Sequence, residues 1–162
     1  MKKIWVKYLL VSFALVTSIA FISCSDNTDE VETVVTVKDL PVNAQTFLNT
    51  YFKGIEVTKV EKQTIDEVEV YEVELENGYE IVFNSMGEWQ QIEAPDNMTV
   101  PTDIIPEPIY QTLNEQYHGY GVIEINTQGQ YYHVVLSNNQ GGASIELLFN
   151  MSGEIIPTGD MD

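Results

Sequence analysis

Arginine is absent from this 162-residue chain, cysteine occurs once, as Cys24, and histidine twice, as His118 and His133. Each shortage excludes a class of chemistry. A lone thiol cannot close an intramolecular disulfide. Without arginine there is no guanidinium to clamp an anion. A histidine metal centre needs both imidazoles to converge with a third ligand. The spacing suggests nothing of the kind: His118 precedes Gly119 at an expected helix end, and His133 lies inside the strand-like YYHVV. Ser85 and Ser152 fall in turn sequences with no G-x-S-x-G frame. No catalytic set, metal site or cofactor site is legible, so the expectation is a protein that is not an enzyme.

Positive charge is nearly as scarce. All seven cations are lysines, and Lys2, Lys3 and Lys7 precede the first long apolar run. Without residues 1–23, four lysines face all 25 acids, a net charge of −21 against −18 for the whole chain. Nucleic acid is excluded as a partner, because binding it requires Lys and Arg to replace phosphate counterions. A peripheral electrostatic grip on anionic lipid fails for the same reason. Such a chain attracts cationic partners or divalent ions. Calcium stays open as a ligand, although no D-x-[DN]-x-[DN]-G loop is present.

What the N-terminus does contain is a basic start, then sixteen uncharged residues from Tyr8 to Ser23. A membrane span needs roughly 20 apolar residues, so the pattern reads as a secretory leader over residues 1–23. The run Phe21-Ile22-Ser23-Cys24 resembles a bacterial lipobox, with Phe21 where leucine is usual. That resemblance implies lipidation at Cys24, with cleavage just before it. The membrane is then reached through the lipid, at about 0.8 kcal/mol per buried methylene. Residues 24–39 are acidic and read as a tether. The expected location is the cell envelope, as an outer-membrane lipoprotein facing either the periplasm or the surface.

The remainder says most of what it has to say twice. LPVNAQTFLNTYFKG, from Leu40, aligns with IPEPIYQTLNEQYHG, from Ile105, at an offset of 65. Each reads as an amphipathic helix, with Ala44, Phe47, Leu48, Tyr51 and Phe52 on one stripe and Ile109, Leu113 and Tyr117 on the other. YEIVFNSMGEW, from Tyr79, aligns with IELLFNMSGEI, from Ile145, at an offset of 66. Asn-x-x-Gly between apolar runs is hairpin chemistry. The expected fold is α+β: two tandem helix-plus-antiparallel-meander repeats, residues 40–96 and 105–162, joined by a linker over 97–104. The repeats form a joint antiparallel sheet with both helices on one face. Each repeat alone would bury too little to stand.

This repeated helix and meander, closed by FN-x-x-G-E, is similar to the PepSY-like proteins described as β-lactamase-inhibitor-like. These are secreted or lipid-anchored tandem-repeat proteins of Bacteroidetes-type bacteria. The resemblance covers about Leu40 to Gly159. It implies a binding or inhibitor-like fold without specifying a target, and no inhibitor residue transfers to a position here.

Strand parity predicts where a partner would bind. Tyr71, Val73, Leu75, Tyr79, Ile81 and Phe83 fall together as core, with a phase slip at Tyr71-Glu72 that could mark a bulge. The other face carries the partner-binding candidates Glu72, Glu74, Val82, Tyr131, His133, Val135 and Leu148, joined by Trp89, whose parity is ambiguous. The function expected is a non-enzymatic, lipid-anchored module that engages an unidentified envelope or extracellular protein, in the manner of an inhibitor. The alternatives are a structural subunit of a surface assembly and, last, an enzyme using carboxylates alone. A buried pair of acids with raised pKa would be the structural hint of that last reading.

Overall fold

A proline starts each α-helix. Pro41 precedes α1 (Val42–Tyr51), and Pro106 precedes α2 (Glu107–Gln116), which carries Pro108 in its first turn. Proline suits this position because a first-turn N–H has no partner within the helix. Phe52 and Tyr117 close the helices, each donating its N–H to the carbonyl four residues back. Ala44 and Leu48 of α1 and Ile109 and Leu113 of α2 are buried, as the 3.6-residue period requires. Tyr51, expected on the buried stripe, is instead exposed. It packs its ring against Phe47 at 4.8 Å, at the outer edge of the stripe.

The computed structural model describes residues 33–65, 68–138 and 143–157. The expected leader, Cys24 and the tether up to residue 32 lie outside them. The fold is α+β. Among the described residues nine strands form one antiparallel sheet in chain order: β1 (Thr33–Val34), β2 (Val57–Ile65), β3 (Val68–Leu75), β4 (Glu80–Asn84), β5 (Trp89–Glu93), β6 (Gly121–Gln128), β7 (Tyr131–Ser137), β8 (Ile145–Asn150) and β9 (Ile155–Ile156). The end of the expected tether is ordered: β1 pairs with Lys62 and Glu61 at the sheet edge, and Val37–Asp39 form a 3-10 turn. The expected linker is packed as well. Val100 and Ile104 are buried, and the Val100 N–H bonds the Val122 carbonyl at 2.7 Å.

One row of cross-strand neighbours runs through the core from β2 to β8: Val60, Val73, Ile81, Ile92, Ile125, Val134 and Leu147. All are buried, in one cluster with the buried residues of both helices. In the next row Phe83 and Phe149 are fully buried, and Phe47 of α1 meets Phe83 edge-on at 5.5 Å. The expected core positions Tyr71, Val73, Leu75, Tyr79, Ile81 and Phe83 are all buried.

The phase slip at Tyr71-Glu72 is not a bulge, because β3 runs in unbroken register with β4 from Val70 to Glu74. Val68 and Val70 simply take the acidic side, and Glu69 the core side. There, near the hairpin end, Glu69 pairs with Lys62 rather than with apolar partners.

Two turns set the ends of β4 and β8. Asn84 Oδ1 accepts the N–H groups of Met86 and Glu88 at 3.0 and 2.9 Å. Asn150 Oδ1 accepts those of Ser152 and Glu154 at 2.9 and 3.0 Å. Gly87 and Gly153 follow at φ of 79° and 78°. Each glycine also abuts a helix start: a Cβ on Gly87 would sit 2.7 Å from the Ala44 nitrogen, and one on Gly153 would run into the Pro108 carbonyl.

Candidate functional site

Alternation along the strands puts polar residues opposite the core row. Because the side-chain period is two, every residue paired in register with an acidic-face residue shares its face. One row runs Lys59, Glu74, Glu80, Glu93, Glu124, Val135, Glu146. Its neighbour runs Glu61, Glu72, Val82, Gln91, Asn126, His133, Leu148. Among the described residues, seven glutamates therefore share these two rows with a single lysine at the margin. Lys59 is engaged there, 2.7 Å from Glu61 and 3.6 Å from Glu74.

The centre of the face is sheltered and its edge is wet. Glu124, Asn126 and Leu148 are each 5% exposed, while the side chains of Glu74 and Glu146 are 41% and 73% exposed. Burial pushes the Glu124 carboxyl up to about 7, with repulsion from Glu93 and Glu146 adding to the rise. The hydrogen bond from Asn126, at 3.2 Å, acts in the opposite direction. Burial likewise raises Glu72 to about 7, helped by Glu61 and Glu80. His133 Nε2 lies 3.6 Å from Glu146, and its Nδ1 faces the Asn126 amide at 3.3 Å.

Of the residues expected to bind a partner, Glu72, Glu74, Val82, Tyr131, His133, Val135 and Leu148 share this face. Trp89 does not. A bulge between Val82 and Phe83 sets Trp89 opposite Phe83, and the extra residue returns its side chain to the core side. There it packs near Tyr132, with ring centroids 6.2 Å apart, beside an open groove of about 690 Å³. Polar groups lining that groove bond one another. Asn84 reaches the Glu88 carboxylate at 2.9 Å, and Thr127 reaches Gln90 at 3.2 Å. Sequence reasoning missed Gln91, Glu124 and Asn126. The alternation Glu124-Ile125-Asn126 was the available signal, but a bulge between Val122 and Glu124 hides its phase from the rest of the strand.

Two carboxyls near 7 are the hint of acid–base chemistry, yet they do not form a pair. Glu72 on β3 and Glu124 on β6 are separated by three strand spacings, about 14 Å. Glycosidase carboxylates stand about 5–9.5 Å apart. Among the described residues no group of three or more His, Cys, Asp or Glu is placed to hold a metal ion. No helix among them is long and apolar enough to cross a membrane.

The sequence profile of the PepSY-like family, described as β-lactamase-inhibitor-like, matches residues 11–77 and 69–157. The chain is also similar to solved structures from Bacteroides. A DUF2874-family protein of Bacteroides vulgatus, described as periplasmic, is 26% identical with a TM-score of 0.72, over 82% of this chain and 98% of that one. A second B. vulgatus protein, described as periplasmic and of unknown function, is 27% identical with a TM-score of 0.71, over 78% and 98%. A Bacteroides thetaiotaomicron protein described as periplasmic and calcium-regulated is 26% identical with a TM-score of 0.70, over 78% and 94%. No curated protein matches the chain.

Proposed function

Given that this chain belongs to the PepSY-like, β-lactamase-inhibitor-like family, we propose that it is a non-enzymatic binding module of the cell envelope. It engages a protein through the acidic face of its sheet, in the manner of an inhibitor. The observation that carries this reading is the face itself: seven glutamates around a sheltered centre, with one lysine already paired. Interfaces that concentrate one sign of charge steer a partner of the opposite sign and select against others. The relatives described as periplasmic support an envelope location. Cys24 would tether the module to the outer membrane through lipid. Residues 40–96 and 105–162 act as two repeats whose helices cover the same face, which leaves the acidic face to the partner. The matching Asn84 and Asn150 turns support that arrangement.

The test is capture from envelope and culture fluid by the protein as its host processes it, beside the E72K/E74K variant. A stoichiometric protein lost both on raising the salt and in the variant is the expected result. Equal capture by the charge-reversed variant overturns the reading.

A further inference from the structure

We propose that Glu124 and Asn126 form a receptor for one basic side chain of the partner, a lysine or arginine head lying on the acidic face. This rests on the protein-binding reading above and deepens it. Asn126 is buried, and its Nδ2 is committed to Glu124 Oε1 at 3.2 Å and to His133 Nδ1 at 3.3 Å. Its Oδ1 is a buried acceptor with no hydrogen-bond partner among the described residues. Buried polar atoms are nearly always satisfied, so a bare acceptor on a binding face marks a place for a donor.

Glu124 beside it points to the same ligand. Among the described residues one hydrogen bond reaches its carboxylate, that from Asn126. An ionised carboxylate has roughly four lone-pair sites. The charged and titratable groups around it are Glu93 on β5, Glu80 beyond it on β4, His133 on β7 and Glu146 on β8. Three of these four repel an ionised Glu124. A cation bearing several N–H donors neutralises Glu124 and, once a small side-chain shift uncovers the oxygen, satisfies Asn126 Oδ1 as well. Val135 and Leu148, buried on the same face, offer an apolar bed for the methylene stem. Calcium fits less well. It takes about six to eight oxygen ligands, and among the described residues no group of three or more His, Cys, Asp or Glu is placed to hold a metal ion.

A basic side chain bound here holds Glu124 ionised, so binding is tighter above pH 7 than below it. The experiment titrates the protein with an acetylated hexalysine peptide at pH 7.5 and compares E124Q and N126A with E115Q. Glu115 is an exposed acid on α2, so E115Q removes the same charge elsewhere. We expect at least tenfold weaker peptide binding in E124Q and N126A and less than twofold weaker binding in E115Q. Equal effects in all three overturn the proposal, since long-range attraction to an acidic protein would then suffice.

Carbon-13 NMR of the Glu124 carboxyl in the unmutated protein provides a readout independent of variant folding. Its midpoint falls by more than one pH unit when peptide is added; an unmoved midpoint overturns the receptor. A larger fall with calcium chloride than with peptide also overturns it and reassigns the site to a metal. The two readings fail separately. A null result for E124Q and N126A leaves the E72K/E74K capture result standing, whereas equal capture by E72K/E74K removes the acidic face itself.

Discussion

Asn84 and Asn150, 66 residues apart, cap equivalent turns with the same side-chain bonds. Each also donates its Nδ2 to the glutamate that follows the turn glycine, Asn84 to Glu88 at 2.9 Å and Asn150 to Glu154 at 2.7 Å. Alanine at either position removes three hydrogen bonds at a solvent-exposed turn. We expect each substitution to destabilise the protein by about 1–2 kcal/mol, measured by urea unfolding. Combining them should give a nearly additive loss, because the turns have no shared partner.

The glycines after these asparagines are held by space as well as by dihedral angle. Gly87→Ala and Gly153→Ala strain a positive φ and push a methyl into the start of a helix. Gly54 shares the positive φ but has open space around its Cβ position, so Gly54→Ala isolates the dihedral contribution, about 1 kcal/mol. The two turn variants should lose clearly more, seen as a lower Tm than that of Gly54→Ala.

Stability should rise as pH falls from 8 to 5. Glu72 and Glu124 each move from 4.5 to about 7 on folding, so the folded state holds more protons between those values. Their relative stabilisation is complete below pH 4.5 and lost as pH passes 7. Glu124→Gln should therefore stabilise the protein at pH 8, by at most about 3 kcal/mol, and do little at pH 5. Thermal unfolding of both proteins across that range checks the slope. A slope of the same size in the variant would remove Glu124 as its source.

The aromatic contact between α1 and the sheet should weigh most heavily. Phe83 is fully buried and meets Phe47 edge-on. Phe83→Ala should cost about 3–5 kcal/mol. Tyr79→Phe, which only removes the 2.5 Å hydrogen bond to the Thr99 carbonyl, should cost about 1 kcal/mol. Denaturant unfolding separates the two effects.

The sequence by itself determined the elements and most of their faces. Local chemistry sets these: prolines at helix starts, Asn-x-x-Gly at hairpins, and periods of 3.6 and 2 that make Leu48 and Ile109 buried and Glu74 wet. Parity within one strand even grouped residues from strands far apart, such as Glu72 with His133.

Tertiary structure decided what strand parity could not. Bulges at Val82/Phe83 and Val122/Glu124 reset the phase, which turned Trp89 inward and brought Glu124 and Asn126 to the acidic face. A bulge depends on how two strands meet, so neither strand announces it alone. The same holds for Thr33–Val34, ordinary tether residues in sequence, which become a strand because Glu61 and Lys62 present a free sheet edge to pair with. Shelter at the centre of the face, and with it the rise of two carboxyls to about 7, likewise arises only when neighbouring strands crowd those acids away from water.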